Sequence, residues 1–351
     1  DSFYDLGGHS LIAVRLFGMI RKAYRVDLPI SILFEAPTIR ACAALIEAQI
    51  GPQEAGEDAP APAEPQRRFT HLVPMHRGEG GPKTPFFLVA GMFGNVLNLR
   101  HLAHLLGEDR PFYGLQARGL YGGAAPHDDL TEAAADMIAE LRQVQPHGPY
   151  LLGGFSGGGI TAYEMAQQLR AAGEEVALIV MLDTPLPQRR PLSRRDRLMI
   201  QWQELKAGGP LYPLRWAARR IAWEIAKRRP KAQAETDTHH FHDSAIEAAF
   251  YRAIAKYHVR PWPGALHLFR PPLVGKWLVS EGRWVSSERA YVLPDNDWSG
   301  FAPKVQVTEV PGTHDSMVLE PNVRVLAARL RRVIEAAEVT HAAPDHREAA
   351  E

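Results

Sequence analysis

From residue 71 onward, short apolar runs alternate with stretches whose apolar positions recur at helical spacing. The runs at 86–89, 111–115, 150–153 and 176–182 have too few polar interruptions for one face to meet water, so they read as strands buried on both sides. Two later runs, 264–269 and 305–310, read the same way. Helical spacing marks 97–106, 131–145 and 160–172. In the second of these Ala134, Ile138 and Leu141 share one side, and Gly173 stops the third. Strand and helix in alternation, with two-sided apolar strands, predict a mostly parallel sheet covered by helices. Between about 187 and 260 that rhythm stops. Helical patterns at 198–206, 214–229 and 244–257 replace it. An insertion of this length belongs outside the sheet, as a lid.

The first 50 residues carry a different pattern. A helix follows Ser10, with Ile12, Leu16, Met19 and Ile20 expected on its buried face, and Ser10 reads as its N-cap after two glycines. Pro29 and Pro37 bound short segments. A last helix over 38–50 carries Ile39, Cys42, Leu45 and Ile46 on one stripe. So short a segment makes a small core, which suggests that sequence before residue 1 belongs to it. The chain begins with Asp1 rather than Met, so it is expected to be a fragment of something longer. Residues 51–68 hold Pro, Ala, Gly and acids but no large apolar side chain. They cannot bury a core and favour an extended spacer, reaching roughly 55 Å at ~3.1 Å per residue. The organisation expected is 1–50, a linker over 51–70, a large domain over 71–338 and a polar, disordered tail over 339–351.

Composition narrows the partners. The 40 basic and 40 acidic residues cancel, so no global field recommends nucleic acid or a membrane surface. No run of ~20 apolar residues could span a bilayer, and the start is no signal peptide. One cysteine, Cys42, permits no intrachain disulfide and fits a reducing compartment, hence a cytoplasmic location.

The chemistry concentrates at Gly154-Phe155-Ser156-Gly157-Gly158. A serine between glycines, after one strand and before a helix, is the pattern of a nucleophile held on a strained turn. A glycine-rich phosphate loop is the plain alternative, but the Lys of a P-loop and the spacing of a dinucleotide fingerprint are both missing. A serine nucleophile needs a base and the base an orienting carboxylate, in the chain order Ser, acid, His for an α/β-hydrolase. Asp183 ends the next apolar strand, and His314 follows a late one. Asp295 and Asp297 rival Asp183, while Asp315, next to His314, is expected to point away. Their plain readings are a helix cap or turn for Asp183 and a surface loop for His314. An oxyanion hole requires two backbone donors. Gly157 N–H is one expectation, and Met92 N–H, in Gly91-Met92-Phe93-Gly94, the other. The fold class expected is therefore α/β: an α/β-hydrolase with a helical lid, working through an acyl-Ser156 ester.

Residues 71–338 resemble the type I thioesterase domains that end nonribosomal peptide and polyketide synthases. The resemblance rests on 85–94, on YLLGGFSGGG from Tyr150, on LIVMLDTP from Leu178 and on 310–314. Residues 1–50 resemble the small all-α carrier domain that precedes them, through Asp5-Leu6-Gly7-Gly8-His9-Ser10-Leu11. This resemblance implies 4′-phosphopantetheine on Ser10, attached by a phosphopantetheinyl transferase. It further implies upstream synthetase modules as partners, and delivery of an acyl or peptidyl thioester from Ser10 to Ser156 for hydrolysis or macrocyclisation. Two departures stand out. The family's carrier has a further helix before the motif. The family's thioesterase domain often has His-Pro near the oxyanion turn, where this chain has Val89-Ala90-Gly91. A free-standing serine esterase or lipase and a non-catalytic carrier-docking module are the rival readings.

Other signals bend either way. Residues 189–231 carry thirteen Lys or Arg against three acids. They suit either an anionic partner or a solvated helix face. Trp202, Trp216 and Trp223 suit an acyl channel or lid packing. His239-His240-Phe241-His242 lacks the partners of a metal site and reads as an exposed loop, so no metal is expected.

Overall fold

Phe86–Val89 offers four apolar side chains in a row, and it forms a strand with neighbours on both sides. In the computed structural model the residues described are 2–3, 6, 10–26, 28, 32–50, 69–75, 83–107, 109–120, 124–208 and 244–341. The strands are β1 (Leu72–Pro74), β2 (Phe86–Val89), β3 (Phe112–Leu115), β4 (Tyr150–Phe155), β5 (Val176–Leu182), β6 (Ala265–Arg270), β7 (Trp277–Leu278), β8 (Trp284–Val285) and β9 (Lys304–Glu309). Seven make one sheet in the order β1-β3-β2-β4-β5-β6-β9. All its pairings are parallel except β1 with β3, which is antiparallel. The expected mostly parallel sheet is present. Its antiparallel edge, three residues long, was too short to show as a pattern.

Helices cover both faces. The helices are α1 (Ser10–Tyr24), α2 (Ile32–Glu35), α3 (Ile39–Ile50), α4 (Arg100–Leu106), α5 (Leu130–Val144), α6 (Gly158–Ala171), α7 (Arg194–Gly208), α8 (Ser244–Lys256) and α9 (Val323–His341). Asp129 starts α5 by accepting hydrogen bonds from the Thr131 and Glu132 amides. One face of α5 buries Ala134, Met137 and Leu141 with Tyr163 and Ala166 of α6 and Leu152 of β4. On the other face Leu102 of α4 and Leu326, Leu330 and Ile334 of α9 join Phe86, Leu88 and Leu151. Leu141 is fully buried, so Leu141→Ala would cost about 2–5 kcal/mol.

The N-terminal helices have a small core of their own. Ala13, Phe17 and Ile20 of α1 pack with Val26, Leu28, Leu33 and Cys42. This corrects the expected buried face: Ile12 and Met19 are exposed, as is Ile39 of α3. Apolar residues surround α1, so periodicity alone did not choose the inward side. Thr38 starts α3 by accepting from the Ala41 amide.

The chain divides into two compact units. The larger takes in 1–187, 241–272 and 298–351. The smaller takes in 188–240 and 273–297. The boundary thus differs from the expected lid over 187–260. Segment 273–297 joins the smaller unit, whereas α8 belongs to the larger one. There α8 buries Ile246, Ala249 and Ala253 at helical spacing, with Phe250 and Ile254 against the α5–α6 core. The smaller unit has an apolar cluster of Ile200, Trp277, Val279 and Val285. Beside it the fully buried Asp196 accepts from Ser280 N and Oγ, Tyr291 Oη and Arg283. The linker over 51–68, the helix expected at 214–229, Trp216, Trp223, the His239–His242 loop and the tail from 342 lie outside the described residues.

Candidate active site

Three side chains expected to work together come from the C-terminal ends of three parallel strands. Ser156 follows β4 and Asp183 follows β5. Backbone bonds hold both in place: Ser156 N donates to Leu182 O, and Asp183 N to Phe269 O. Each has positive φ, 52° and 47°, a strained conformation for a residue with a side chain. The turn around Ser156 is as tight as the glycines imply. A Cβ on Gly154 would lie 2.2 Å from the Gly158 carbonyl carbon, and one on Gly158 would lie 2.2 Å from Ala90 O. Only glycine lets β4 reverse into α6 at this separation.

His314 lies in the loop after β9. Its Nδ1–H donates to Asp183 Oδ2 at 2.7 Å, which leaves Nε2 as the acceptor for the Ser156 hydroxyl at 2.9 Å. The carboxylate fixes the tautomer, and the tautomer faces the serine with a lone pair. Ser156 is 8% exposed and the His314 side chain 40%. A reacting group can reach the imidazole while the hydroxyl stays sheltered. The rival acids have other partners: Asp295 Oδ1 accepts from the Asp297 amide, and Asp297 pairs with Arg190.

Two aromatic residues at this site escaped sequence reasoning. Phe155 stacks on the His314 ring, centroids 5.3 Å apart and planes 25° apart. Its other neighbour is Gly91, where a Cβ would lie 3.2 Å from the ring. Phe250 of α8 lies against Gly157, where a Cβ would meet its ring at 2.4 Å. Phe155 is legible as the apolar residue before the serine. No spacing connects 250 with 157. A polar clamp seats α8: Tyr257 Oη donates to Glu164 Oε2 at 2.9 Å, and Arg260 reaches the same buried carboxylate. Burial pushes the Tyr257 hydroxyl pKa well up, so it remains a donor.

Met92 sits in the turn after β2 and lines a cavity with Gly91, while Gly157 begins the turn into α6. Ser10 is the first residue of α1, and Gly7, Gly8 and His9 lie outside the described residues. Of groups that could hold a metal, His71, His127 and Asp136 bring ligand atoms within 4.8 Å of one another. These atoms are internally engaged: His71 Nδ1 with Gln116 O, His127 Nε2 with Asp136 Oδ2, and Arg118 with the same carboxylate. The guanidinium supplies the positive charge there, which disfavours a second cation. Burial lowers the His127 pKa.

A family model described as Thioesterase domain matches residues 84–270, and one described as Phosphopantetheine attachment site matches residues 1–46. The chondramide synthase of Chondromyces crocatus is 32% identical over 372 residues, covering 98% of this chain and 9% of that protein. The dimodular nonribosomal peptide synthase of Bacillus subtilis (strain 168) is 42% identical over 183 residues, covering 52% of this chain and 7% of that protein. The chain therefore spans a small part of the curated relatives it matches. A solved four-domain nonribosomal peptide synthetase bound to AMP and glycine aligns at TM-score 0.55 and 24% identity, over 95% of this chain and 24% of that one. The NocB thioesterase domain from the nocardicin cluster aligns at TM-score 0.51 and 20% identity, over 76% of this chain and 99% of that one. At such identities the two structures speak for the fold alone. Among the described residues no helix is long and apolar enough to cross a membrane.

Proposed function

The chain belongs to the thioesterase-domain family and carries a phosphopantetheine attachment segment, and from that premise we propose that it is a terminal thioesterase of an assembly-line synthetase. It takes an acyl or peptidyl chain from a thioester on Ser10 onto Ser156, then releases it to water or to a nucleophile within the chain. The hydrogen-bonded series Ser156–His314–Asp183 is the observation that carries this reading.

Ser10 suits 4′-phosphopantetheine on two counts. Its hydroxyl is the atom a phosphodiester needs. It opens a 15-residue helix with no acid in its first turn, so the helix end favours a phosphate. When bound, that group supplies the thioester carbonyl and its sulfur leaving group.

The residues of the chain do the rest. His314 Nε2 takes the Ser156 proton as Oγ bonds to the carbonyl carbon. Asp183 holds the ring and stabilises the imidazolium. Met92 and Gly157 N–H groups face the developing oxyanion. His314 then gives its proton to the departing sulfur as the C–S bond breaks, leaving an acyl-Ser156 ester. In the second half His314 deprotonates water, or a hydroxyl or amine of the acyl chain itself. The new bond forms at the same carbonyl, and Ser156 regains its proton.

The test is to load Ser10 with acyl or peptidyl pantetheine, using a phosphopantetheinyl transferase and the corresponding coenzyme A thioesters. Intact-protein and product masses are then followed. Wild type should discharge, and Ser156→Ala should hold the chain at Ser10. Release by Ser156→Ala at the wild-type rate would end the serine mechanism. Failure of the transferase to add mass at Ser10 would end the tethered-substrate reading and favour a free-standing esterase. Product mass separates the two endings, because a ring is lighter than the acid by one water.

A further inference from the structure

Next to the turn that carries Met92 lies a cavity of about 60 Å³. Its wall is aliphatic and aromatic, with Leu115 from the sheet, Ala133 and Met137 from α5, and Phe250 and Ala253 from α8. Phe250 joins it to the chemistry, since the same ring lies against Gly157, the residue after the nucleophile. Two titratable groups reach the wall, His127 and Asp129, and each has its own work. Asp129 caps α5, and His127 is bonded to Asp136. The surface left for a ligand is therefore apolar.

We propose that this cavity receives an unbranched aliphatic segment attached to the carbonyl that Ser156 attacks, with Phe250 as the side chain that admits it. The inference rests on the thioesterase reading above and adds the substrate class. The size follows from the volume. At ~10–15 Å³ for each water-sized group, the space holds about four to six heavy atoms. A branched or aromatic group of the same length would meet the packed neighbours Leu115 and Ala253, both almost completely buried. Two sources share this chemistry: the side chain of a terminal aminoacyl unit, and the first carbons of a fatty acyl chain.

The experiment measures kcat/KM of the whole chain on two series of pantetheine thioesters. One series runs through straight alkanoyl groups. The other runs through alanyl, norvalyl and norleucyl groups, with phenylalanyl as the bulky control. Wild type should gain about four-fold per methylene until the cavity is full, and level off beyond. Ala133→Leu fills the space and should move the plateau to shorter chains. Met137→Ala enlarges it and should move the plateau to longer ones. Phe250→Ala should raise the phenylalanyl thioester relative to norleucyl. A shift in the alkanoyl series alone assigns the cavity to a fatty chain. A shift in the aminoacyl series assigns it to a side chain. Melting temperatures accompany each variant, and Ala133→Val replaces Ala133→Leu if the latter unfolds. The proposal is overturned if the variants scale every chain length by one factor, or if the plateau stays in place. Failure of the thioesterase reading looks different: no thioester of either series then leaves an acyl group on Ser156.

Discussion

Around the main sheet, side chains such as Phe86, Leu88 and Leu330 leave the solvent completely, and helices on both faces share the burial. The smaller unit has Ile200, Trp277, Val279 and Val285 in its apolar cluster, and an ionised carboxylate beside it. Asp196 gathers a backbone amide, two hydroxyls and a guanidinium from three residues, Ser280, Arg283 and Tyr291. Burial alone would push its pKa up. The hydrogen bonds from Ser280, Tyr291 and Ser193 outweigh that, and hold it below the usual carboxylate range. The body thus has two large apolar cores, one on each face of the sheet, whereas the smaller unit sets a buried carboxylate beside a cluster of a few apolar side chains.

That contrast can be broken or sharpened by experiment. The largest effect should come from Asp183→Asn, which leaves the frame intact and reverses the tautomer of His314. It should lower kcat by about 10⁴-fold with the melting temperature of the body unchanged. Asp297→Asn, at a rival acid, should leave kcat as it was. Asp196→Asn should do the reverse, costing the smaller unit about 3 kcal/mol while the body keeps its protection, as amide hydrogen exchange will read. Acid is the third probe. A carboxyl whose folded pKa is depressed contributes fully above its unfolded value of about 3.9, and the contribution drains away as pH falls towards the folded value. Exchange in 188–208 and 273–297 should therefore quicken below about pH 4 before the sheet loosens, and Asp196→Asn should flatten that dependence. The smallest effect belongs to Arg289, which chelates Glu204 across an exposed surface. Arg289→Ala should cost under about 1 kcal/mol in a thermal melt. A larger loss would mean that the smaller unit depends on its surface charges as well.

The same contrast explains what could be read from the chain. β2, β4 and β5 were legible because two-sided burial leaves no room for polar residues. β1, with three residues, and β7 and β8, with two each, carry no period at all. α8 looked like lid because it follows a break in the alternation. What assigns it to the body is burial of Ile246, Ala249 and Ala253, and the partner surface for that face is assembled from α5 and α6. At the site, the order Ser156, Asp183, His314 came from motif and topology. The choice among three acids needed strand adjacency, since Asp295 and Asp297 are nearer to His314 in sequence. Phe250 was beyond reach because its meaning lies in Gly157, far away along the chain.

Ser156 follows β4 and His314 follows β9, with β5 and β6 between those strands in the sheet, so the pair can meet only once β5, β6 and β9 have all been added. During synthesis this spacing becomes a delay. The helices that hold Ser10 are complete by Ile50, with local contacts among themselves. His314 leaves the ribosome roughly 13–50 s later, at about 5–20 residues per second. Throughout that interval the attachment helix can form and meet its modifying enzyme while no base stands beside Ser156. On the proposed function, the nascent chain is born unable to cut the bond it will later be asked to cut.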